Sequence, residues 1–411
     1  MSYYFFKRKM KIITEPKIID EILNRGTIVE IIPSKKEFRK LLLSGKRLKF
    51  YIGFDPTAPT LHLSHAKNLI LMEKFRKLGH KVIILFGDFT ARIGDPTGRI
   101  SVRQQLSAKE VQENVKKWKK IIKPIINLDD KDNPAEIVYN SKWLAKLNLE
   151  KVLNLAAHFT VQQMIVRDMF QKRLAEKRPI FLHEFLYPLM QGYDSVALEV
   201  DVEVCGRDQI FNALVGRTLL KKFKNKEKFI VAVTLMENPK TGELMSKSKG
   251  IGVFLGTGAE DLYGQVMAQP DEMIEILFIN NTYLPLKEIK EIITKEKPRD
   301  AKMRLAFEIT KIFHGERAAR LAEKNFVRTF QEKKLPEKIP EVKIKEKSIN
   351  LIDLLLKVGL IKSKSEGRRL IKERGIKVNG QTIIEEKTLT IPQEGIILQR
   401  GKKKFLKVLN K

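Results

Sequence analysis

The residues of this chain best suited to chemistry on a triphosphate lie in two short motifs. His62-Leu-Ser-His65 stands between a strand-like run and a helix-like run, and Met245-Ser-Lys-Ser248 lies far downstream in a polar loop. Free N–H groups and the helix dipole make a helix start favourable for anions, so both histidines could act there on phosphate. Lys247 would supply a cation for a leaving pyrophosphate, and Ser246 and Ser248 would add hydroxyl donors. Together the motifs predict a site that aligns two reactants and stabilises charge on phosphate oxygens.

The two histidines of the first motif could instead be a zinc pair or purely structural residues. Structural zinc needs four ligands at regular spacing. The other histidines show no such spacing: His80, His158, His183 and His314. The sequence therefore predicts no metal site, and the second motif favours the phosphate interpretation over the structural one.

A third group of polar residues lies between the two motifs. Tyr187, Gln191 and Asp194 are spaced four and three residues apart, so a helix would project them from one face. A phenol, an amide and a carboxylate converging on a pocket could hold an amino acid by its ammonium group. The alternative is an ordinary amphipathic helix with Tyr187 in the core.

Two further polar segments follow predicted strands. Gly206-Arg-Asp208-Gln209 comes after one strand, and Gly94-Asp95-Pro-Thr-Gly98 lies in a loop after another. Open α/β sheets bind ligands at the carboxyl ends of their strands. Asp95 could therefore accept hydrogen bonds from a ligand, with glycines allowing close approach of the backbone.

The elements that must position these residues predict an α/β fold. Leu48–Phe54 and Val82–Phe86 indicate strands, and Ser64–Leu78 between them indicates a helix that stops at Gly79. A strand, helix and strand in this order predict a right-handed crossover in a Rossmann-like, doubly wound parallel sheet. Later strands are predicted at Val200–Val204 and Ile230–Leu235. Residues 15–45 are predicted to be helical with breaks at Gly26 and Pro33, and residues 107–175 to be mostly helical and to interrupt the sheet.

The rest of the chain divides into smaller parts. We expect a catalytic domain with a helical insertion over 1–255, a helical domain over 256–335, a linker over 336–348 and a small α+β domain over 349–411. In the last part a cationic helix precedes an Asn-Gly turn typical of a hairpin. A cationic helix beside a hairpin resembles S-four-type RNA-binding domains, and this resemblance implies that RNA binds the cations of that helical segment, Arg368, Arg369, Lys372 and Arg374. The alternative is a basic surface helix without an RNA partner.

The composition narrows the choice of partner and compartment. The 411 residues include 79 Lys and Arg against 49 Asp and Glu, a net charge of +30. Such a surplus favours a polyanion such as nucleic acid, although a lysine-rich proteome would also give it. A single cysteine, Cys205, excludes an internal disulfide and fits a reducing compartment. With no long apolar run and no signal-peptide pattern, we expect a cytoplasmic protein without membrane contact.

Taken together, these motifs resemble those of tyrosyl-tRNA synthetases, class I aminoacyl-tRNA synthetases of the bacterial type, across nearly the whole chain. The segments that carry the resemblance are YIGFDPTAPTLHLSH, GHKVIILFGDFTARIGDPTGR, YPLMQGYDS, GRDQIFN, LMSKS and SKSEGRRLI. The resemblance implies a tyrosine–tRNA ligase that forms tyrosyl-adenylate from ATP and then esterifies tRNA(Tyr). It also implies magnesium with the ATP, a homodimer formed through the catalytic domain, an anticodon-binding helical domain and an S-four-type RNA-binding domain.

The resemblance also implies roles for individual residues. Tyrosine would contact Tyr51, Asp95, Tyr187, Gln191, Asp194 and Gln209. ATP would contact Asp55, His62, His65, Asp208, Met245, Ser246, Lys247 and Ser248, with His62, His65 and Lys247 acting in catalysis. Arg99 and Arg103 match a cationic loop that assists pyrophosphate.

Four positions depart from the family pattern. Ser64 replaces a glycine of the histidine motif, and Leu244 replaces the first lysine of the second motif. Cys205-Gly206-Arg207 replaces Gly-Gly-Ser/Thr beside the substrate. Gly367 replaces a common alanine in the cationic helix, which costs about 1 kcal/mol of helix stability.

These departures keep a second hypothesis open, a degenerate relative that binds RNA without aminoacylating it. Tryptophanyl-tRNA synthetase shares the fold, but the C-terminal domain and the set Tyr187, Gln191 and Asp194 argue against it. A small-molecule nucleotidylyltransferase is a third alternative, because such enzymes can carry a similar histidine motif.

Overall fold

The computed structural model describes residues 11–95, 106–245, 252–331, 339–401 and 404–410. Contacts divide the chain into two compact units, Met1–Leu321 and Ala322–Lys411. Within the described ranges, no helix combines the length and apolar character that a bilayer crossing requires. The four-part division expected from the sequence stays a prediction.

A six-stranded sheet forms the centre of the first unit. Its order is β1-β6-β5-β2-β3-β4, and every pairing is parallel except that of β1 with β6. From β2 the chain winds towards β4, whereas from β5 it winds towards β6, so the direction reverses between β2 and β5. Such a switch point opens a crevice at the carboxyl ends of the two strands. The strands are β1 (Ile28–Ile32), β2 (Lys49–Phe54), β3 (Lys81–Phe86), β4 (Glu136–Tyr139), β5 (Val202–Gly206) and β6 (Phe229–Val233).

Helices cover the sheet and continue beyond it. They are α1 (Pro16–Asn24), α2 (Lys35–Leu43), α3 (Leu63–Lys77), α4 (Thr90–Ile93), α5 (Ala108–Ile122), α6 (Ser141–Leu144), α7 (Leu149–Ala156), α8 (Val161–Ile165), α9 (Asp168–Ala175), α10 (Leu186–Leu198), α11 (Ile210–Lys224), α12 (Ala259–Met267), α13 (Ile274–Asn281), α14 (Leu286–Lys295), α15 (Pro298–His314) and α16 (Glu316–Phe326). Helices α10 and α11 pack closely because glycines face each other. A Cβ on Gly192 would lie 3.1 Å from the backbone nitrogen of Gly216.

The structure corrects two predictions about the sheet. Residues 15–45 were expected to be helical, but Ile28–Ile32 forms β1, because its β-branched residues pair with β6. The segment 107–175 was expected to be mostly helical and to interrupt the sheet. It contains β4, which extends the sheet by pairing with β3. Both strands are short edge strands, whose patterns are weak in sequence.

The second unit contains a five-stranded sheet, a two-stranded sheet and two helices. The order of the larger sheet is β10-β9-β12-β13-β7, and β8 pairs with β11. Strand β7 lies inside the segment expected to be a linker and pairs in parallel with β13, so four residues of that segment belong to a sheet. The elements are β7 (Glu341–Ile344), β8 (Ser348–Asn350), α17 (Leu351–Lys357), α18 (Lys364–Lys372), β9 (Ile376–Val378), β10 (Gln381–Thr382), β11 (Thr388–Thr390), β12 (Ile396–Arg400) and β13 (Lys404–Asn410).

Helix α18 shows why a glycine stands at position 367. Ser363 caps the helix by accepting a hydrogen bond from the backbone of Glu366. Gly367 is buried, and a Cβ there would lie 2.9 Å from Cδ1 of Ile361 and 3.3 Å from Cγ2 of Ile352. The glycine therefore lets α18 approach the apolar core of the unit at some cost in helix propensity.

A buried histidine makes the stability of the first unit depend on pH. His80 is fully buried, and its Nδ1 accepts a hydrogen bond of 3.3 Å from the backbone N–H of Leu48. Burial, helped by the charge of Arg47, lowers the pKa of His80 to about 4. Between about pH 6.5 and pH 4, His80 is therefore protonated in the unfolded chain but neutral in the folded chain.

We predict that His80→Gln flattens the pH dependence of unfolding. In the wild type, neutral His80 contributes fully to the free energy of unfolding above pH 6.5. As the pH falls towards 4, the free energy of unfolding decreases by about 3 kcal/mol because the unfolded chain binds the proton. Urea titrations at pH 7 and pH 4 would measure it. The control, His158→Gln, changes an exposed histidine and should keep the wild-type slope. Equal losses in the wild type and His80→Gln would contradict the prediction.

Candidate active site

A cavity of about 340 Å³ opens at the carboxyl ends of β2, β3 and β5, where the winding of the sheet reverses. The start of α3 and one face of α10 complete its walls. Most of the predicted site residues line it, namely Tyr51, Asp55, His65, Asp95, Tyr187, Gln191, Asp194, Asp208 and Gln209. Its other polar lining residues include Thr57, Ser64, Lys67, Asn68, Thr90 and Glu203.

Asp55 holds the first polar group of the cavity together. Tyr187 donates from its hydroxyl to Oδ2 of Asp55 at 2.9 Å, and Thr90 donates to Oδ1 at 2.6 Å. A Cβ on Gly87 would lie 2.1 Å from Oδ1 of Asp55, so only glycine fits there. Burial and the charge of Asp55 raise the pKa of Tyr187 well above its usual value. The hydroxyl of Tyr187 is therefore protonated and held in place by the carboxylate of Asp55, directly after β2.

Asp194 is the most enclosed aspartate of the cavity and is 3% exposed. The indole N–H of Trp143 donates to Oδ1 at 2.7 Å, and the amide of Asn140 donates to Oδ2 at 3.4 Å. Burial raises the pKa of Asp194 well above its usual value, although the two donors oppose that rise. Trp143 and Asn140 follow β4. Because β4 was not predicted from the sequence, these two residues were not predicted to reach the cavity.

A buried ion pair forms the floor beneath Tyr51 and Gln191. Lys228, 1% exposed, donates to the carboxylate of Glu203 and, at 2.7 Å, to Oγ of Ser195. Glu203 accepts from the amide of Gln191 at 3.3 Å, and Ser195 lies 3.2 Å from the hydroxyl of Tyr51. Burial, reinforced by the charge of Glu203, raises the pKa of Tyr51 well above its usual value. The acid lies on β5 and the lysine lies just before β6, so no sequence motif marks them.

A chain of amides connects this floor to the mouth of the cavity. Asn212 donates to Gln191 at 2.9 Å and to Gln209 at 2.8 Å. Gln209 in turn donates to Asp95 at 2.8 Å and to Asp208 at 3.3 Å. Burial raises the pKa of Asp208, while Gln209 opposes the rise. Residues predicted from separate segments are thus held in one network, with Asn212 as an unpredicted link.

The histidine motif begins α3 at the edge of the cavity. His62 is the N-cap residue, its backbone N–H donates to Nδ1 of His65 at 3.4 Å, and the two rings lie 4.1 Å apart. Of the two, His65 lines the cavity. The backbone on both sides of the motif pairs with the segment after the second motif, through Leu63 to Val253 at 3.1 Å and Leu255 to Leu61 at 2.8 Å. This pairing places residues 253–255, which follow the second motif in the chain, beside the first motif.

Several predicted residues of the second motif lie outside the described ranges, namely Ser246, Lys247 and Ser248, as do Arg99 and Arg103. Met245 is described and is 8% exposed, with its N–H bonded to the carbonyl of Met236 at 3.0 Å. Leu244, which stands where the family has lysine, is 44% exposed and so fills no packing role that requires leucine.

The other departures from the family pattern lie at the cavity. Ser64 and Cys205 both line it. Burial raises the pKa of Cys205 well above its usual value, so its side chain is a thiol rather than a reactive thiolate. Arg207 is exposed.

The cations predicted to bind RNA, Arg368, Arg369, Lys372 and Arg374, are all exposed in the second unit.

Two family models together match almost the whole chain. Residues 43–331 match "tRNA synthetases class I (W and Y)", and residues 331–408 match "Tyrosine--tRNA ligase SYY-like C-terminal domain". The tyrosine–tRNA ligase of Moorella thermoacetica is 41% identical, with 94% of each chain covered. That of Aquifex aeolicus is 39% identical, with 95% of this chain and 98% of the relative covered.

Solved structures show the same fold. A C-terminally truncated mitochondrial tyrosyl-tRNA synthetase from Aspergillus nidulans superposes with a TM-score of 0.65 at 24% identity, covering 79% of this chain and 95% of that one. The enzyme from Archaeoglobus fulgidus, solved with L-tyrosine, superposes with a TM-score of 0.59 at 18% identity, covering 75% and 100%. With relatives of about 40% identity along nearly its full length, the chain belongs to the tyrosine–tRNA ligase family of class I synthetases.

Proposed function

We propose that this cavity joins tyrosine to ATP and then passes the tyrosyl group to the 3′ end of tRNA(Tyr). The observation that carries the proposal is the convergence of five carboxyl side chains and a chain of amides on one cavity at the switch point of the sheet. The tyrosine carboxylate would attack the α-phosphorus, and pyrophosphate would leave with its magnesium. No side chain acts as a nucleophile, so catalysis consists of alignment and charge stabilisation.

The polar groups of the cavity suit tyrosine in one orientation. Between the floor and the mouth, Asp95, Tyr187 and Gln191 offer oxygen atoms, supported by Gln209 and Asn212, that can accept hydrogen bonds from the ammonium group. At the enclosed end, Tyr51 and Asp194 are 1% and 3% exposed. We assign the phenol hydroxyl to these two, because a buried polar group needs a polar partner. This changes the expectation from the sequence, in which Asp194 held the ammonium group together with Tyr187 and Gln191.

The histidine motif supports a place for ATP beside this pocket. His62 and His65 stand at the start of α3, where backbone N–H groups and the helix dipole favour anions. Asp55 and Asp208 line the same cavity. Residues 253–255, which follow the second motif in the chain, pair with residues 61–63 beside the first motif. On this basis Met245, Ser246, Lys247 and Ser248 are proposed to act on the phosphates, with His62, His65 and Lys247 stabilising the transition state.

A degenerate, RNA-binding relative is the second candidate, favoured by the departures at Ser64, Leu244 and Cys205. Against it stands the connected polar network, since each buried carboxylate of the cavity keeps its donors. A protein released from catalysis would gain stability by replacing such groups with apolar residues.

Pyrophosphate exchange with ATP decides between the two candidates. We predict exchange that depends on tyrosine and is far weaker with phenylalanine or tryptophan, because groups built for a phenol hydroxyl are otherwise left unpaired. This enzyme class is itself the standard example of such discrimination, and the expectation is taken from it. Absence of exchange with all three amino acids, from a folded protein that still binds tRNA, would favour the RNA-binding candidate.

An apolar surface on the first unit supports a homodimer. Between residues 149 and 182 seven large apolar side chains are exposed: Leu149, Leu153, Val161, Val166, Leu174, Phe181 and Leu182. A largely apolar cavity of about 240 Å³ lies beside them, between α7 and α10. Soluble monomers rarely expose so many apolar groups together. We propose that a second copy of the chain covers this surface, as the family resemblance implies.

Charge placed on this surface should break the dimer. We predict that the wild type sediments with twice the chain mass, and that Leu149→Glu with Leu153→Glu sediments as a monomer. The control, Ile384→Glu, changes a side chain that is 70% exposed on the second unit and should leave the dimer intact. A monomeric wild type, or a double variant that remains dimeric, would show that this surface is not the interface.

Helix α18 supports an RNA-binding role for the second unit. Arg368 and Arg369 are 65% and 63% exposed, and within the described ranges their ion pairs are long, 3.4 Å with Glu386 and 3.3 Å with Glu373. Exposed pairs of this kind are weak. Their guanidinium groups can therefore exchange these partners for RNA phosphates. We propose that Arg368, Arg369, Lys372 and Arg374 contact tRNA(Tyr).

The salt dependence of tRNA binding tests this surface. We predict that Arg368→Gln with Arg369→Gln makes the plot of log affinity against log salt concentration less steep, by about one to two units of slope. Each phosphate contact that is lost reduces the number of counterions released on binding. Filter binding of tRNA(Tyr) over a salt series measures it. Lys343→Gln with Lys345→Gln removes the same charge from β7 and its end, and should leave the slope unchanged. Equal slopes for both double variants would refute the assignment.

A further inference from the structure

The charge on the walls of the active-site cavity is strongly one-sided. Five carboxyl side chains line it: Asp55, Asp95, Asp194, Glu203 and Asp208. Among the described residues that line it, Lys67 is the only lysine or arginine. ATP must enter this cavity with its negative charges, and acidic walls oppose that. The position of Lys67 is therefore important for nucleotide binding, although no motif includes it.

Lys67 lies on the cavity face of α3. It is three residues after Ser64 and precedes Asn68, and all three line the cavity, as spacings of three and four residues on a helix allow. The lysine is 2% exposed. Its Nζ donates to Oδ1 of Asn68 at 2.6 Å. An ammonium group has three N–H donors, and Asn68 is its only hydrogen-bonding acceptor among the described residues.

The surroundings of Lys67 keep its charge poorly compensated. Burial lowers the pKa of Lys67 to about 7, and the nearby Asp208 and Cys205 oppose the fall only in part. Burial also raises the pKa of Asp208. Within the described part of the chain, Nζ of Lys67 makes no ion pair, and its one hydrogen bond goes to Asn68. A ligand that offers oxygen atoms to Lys67 would supply the missing acceptors and favour its charged form.

We propose that Lys67 is a nucleotide-binding residue of this site, whose remaining N–H groups donate to oxygen atoms of ATP. The inference rests on the proposed function and adds a cation that the family motifs do not include. It also offers a physical reason why the chain tolerates Leu244 in place of lysine, because a second cation already faces the cavity. Oxygen atoms of the phosphates or of the ribose could fill this role, and the experiment separates them.

The same helix provides a matched control. Lys74 is a second lysine of α3 whose pKa burial lowers to about 7, with the charge of Arg25 adding to the effect. Lys74 does not line the cavity. Lys67→Met and Lys74→Met each remove a partly desolvated amine from one helix, and only the first removes a donor to the nucleotide.

Steady-state pyrophosphate exchange gives the first readout. We predict that Lys67→Met raises KM for ATP about tenfold, the usual effect of losing a charge-assisted hydrogen bond, and changes KM for tyrosine less than twofold. Lys74→Met should change neither constant. A Lys67→Met protein with wild-type KM for ATP would overturn the inference, whereas a wild type without tyrosine-dependent exchange would instead overturn the proposed function.

Proton uptake gives a second readout that loss of packing cannot imitate. At pH 8 Lys67 is mostly neutral, so a ligand that raises its pKa must bring a proton, up to about one per site. Calorimetric titration with an ATP analogue bridged by methylene between the α- and β-phosphorus, in two buffers of different ionisation enthalpy, counts that proton. We expect uptake in the wild type and Lys74→Met, and none in Lys67→Met. Uptake with adenosine as well would assign the ribose, and uptake with the analogue alone would assign the phosphates. Uptake of the same size in Lys67→Met would overturn the inference.

Discussion

The structure of the active site depends on the cost of enclosing carboxyl groups in one cavity. Each of these acids must receive hydrogen bonds or lose its charge, since an uncompensated carboxylate in a protein interior costs several kcal/mol. Asp55 receives bonds from Tyr187 and Thr90, and Asp194 receives them from Trp143 and Asn140. Lys228 and Ser195 donate hydrogen bonds to Glu203. These donors come from several elements around the cavity, including α4, α6 and α10. The hydrogen bonds that hold the acids therefore also hold these elements together.

This requirement explains features that otherwise look unrelated. Gly87 has no side chain because Asp55 and Thr90 occupy the space a Cβ would need, and Gly216 leaves room for Nζ of Lys228. The edge strand β4 does more than extend the sheet, since the loop after it places Asn140 and Trp143 on Asp194. A network of this kind favours one arrangement of polar groups over many, and it fixes the position of substrate contacts before substrate arrives.

The sequence predicted the parallel core of the sheet and nine of the residues that line the cavity, because these follow strong apolar runs or lie at helical spacing. It did not predict β1 or β4, which are short edge strands with weak patterns. It also did not predict Trp143, Asn140 or Lys228. Those residues act only through partners that are distant in the chain, so neither their type nor their local spacing carries a signal. The anchoring of residues 253–255 to the histidine motif is likewise a tertiary contact.

We propose that the polar network orients tyrosine with its ammonium towards Asp95, Tyr187 and Gln191 and its phenol at the enclosed end of the cavity. A crystal structure of the protein with tyrosine bound tests this most directly. The account predicts the ammonium nitrogen within hydrogen-bonding distance of Asp95, Tyr187 and Gln191, and the phenol oxygen beside Tyr51 and Asp194. Tyrosine bound in the reverse direction, or bound outside this cavity, would contradict the account.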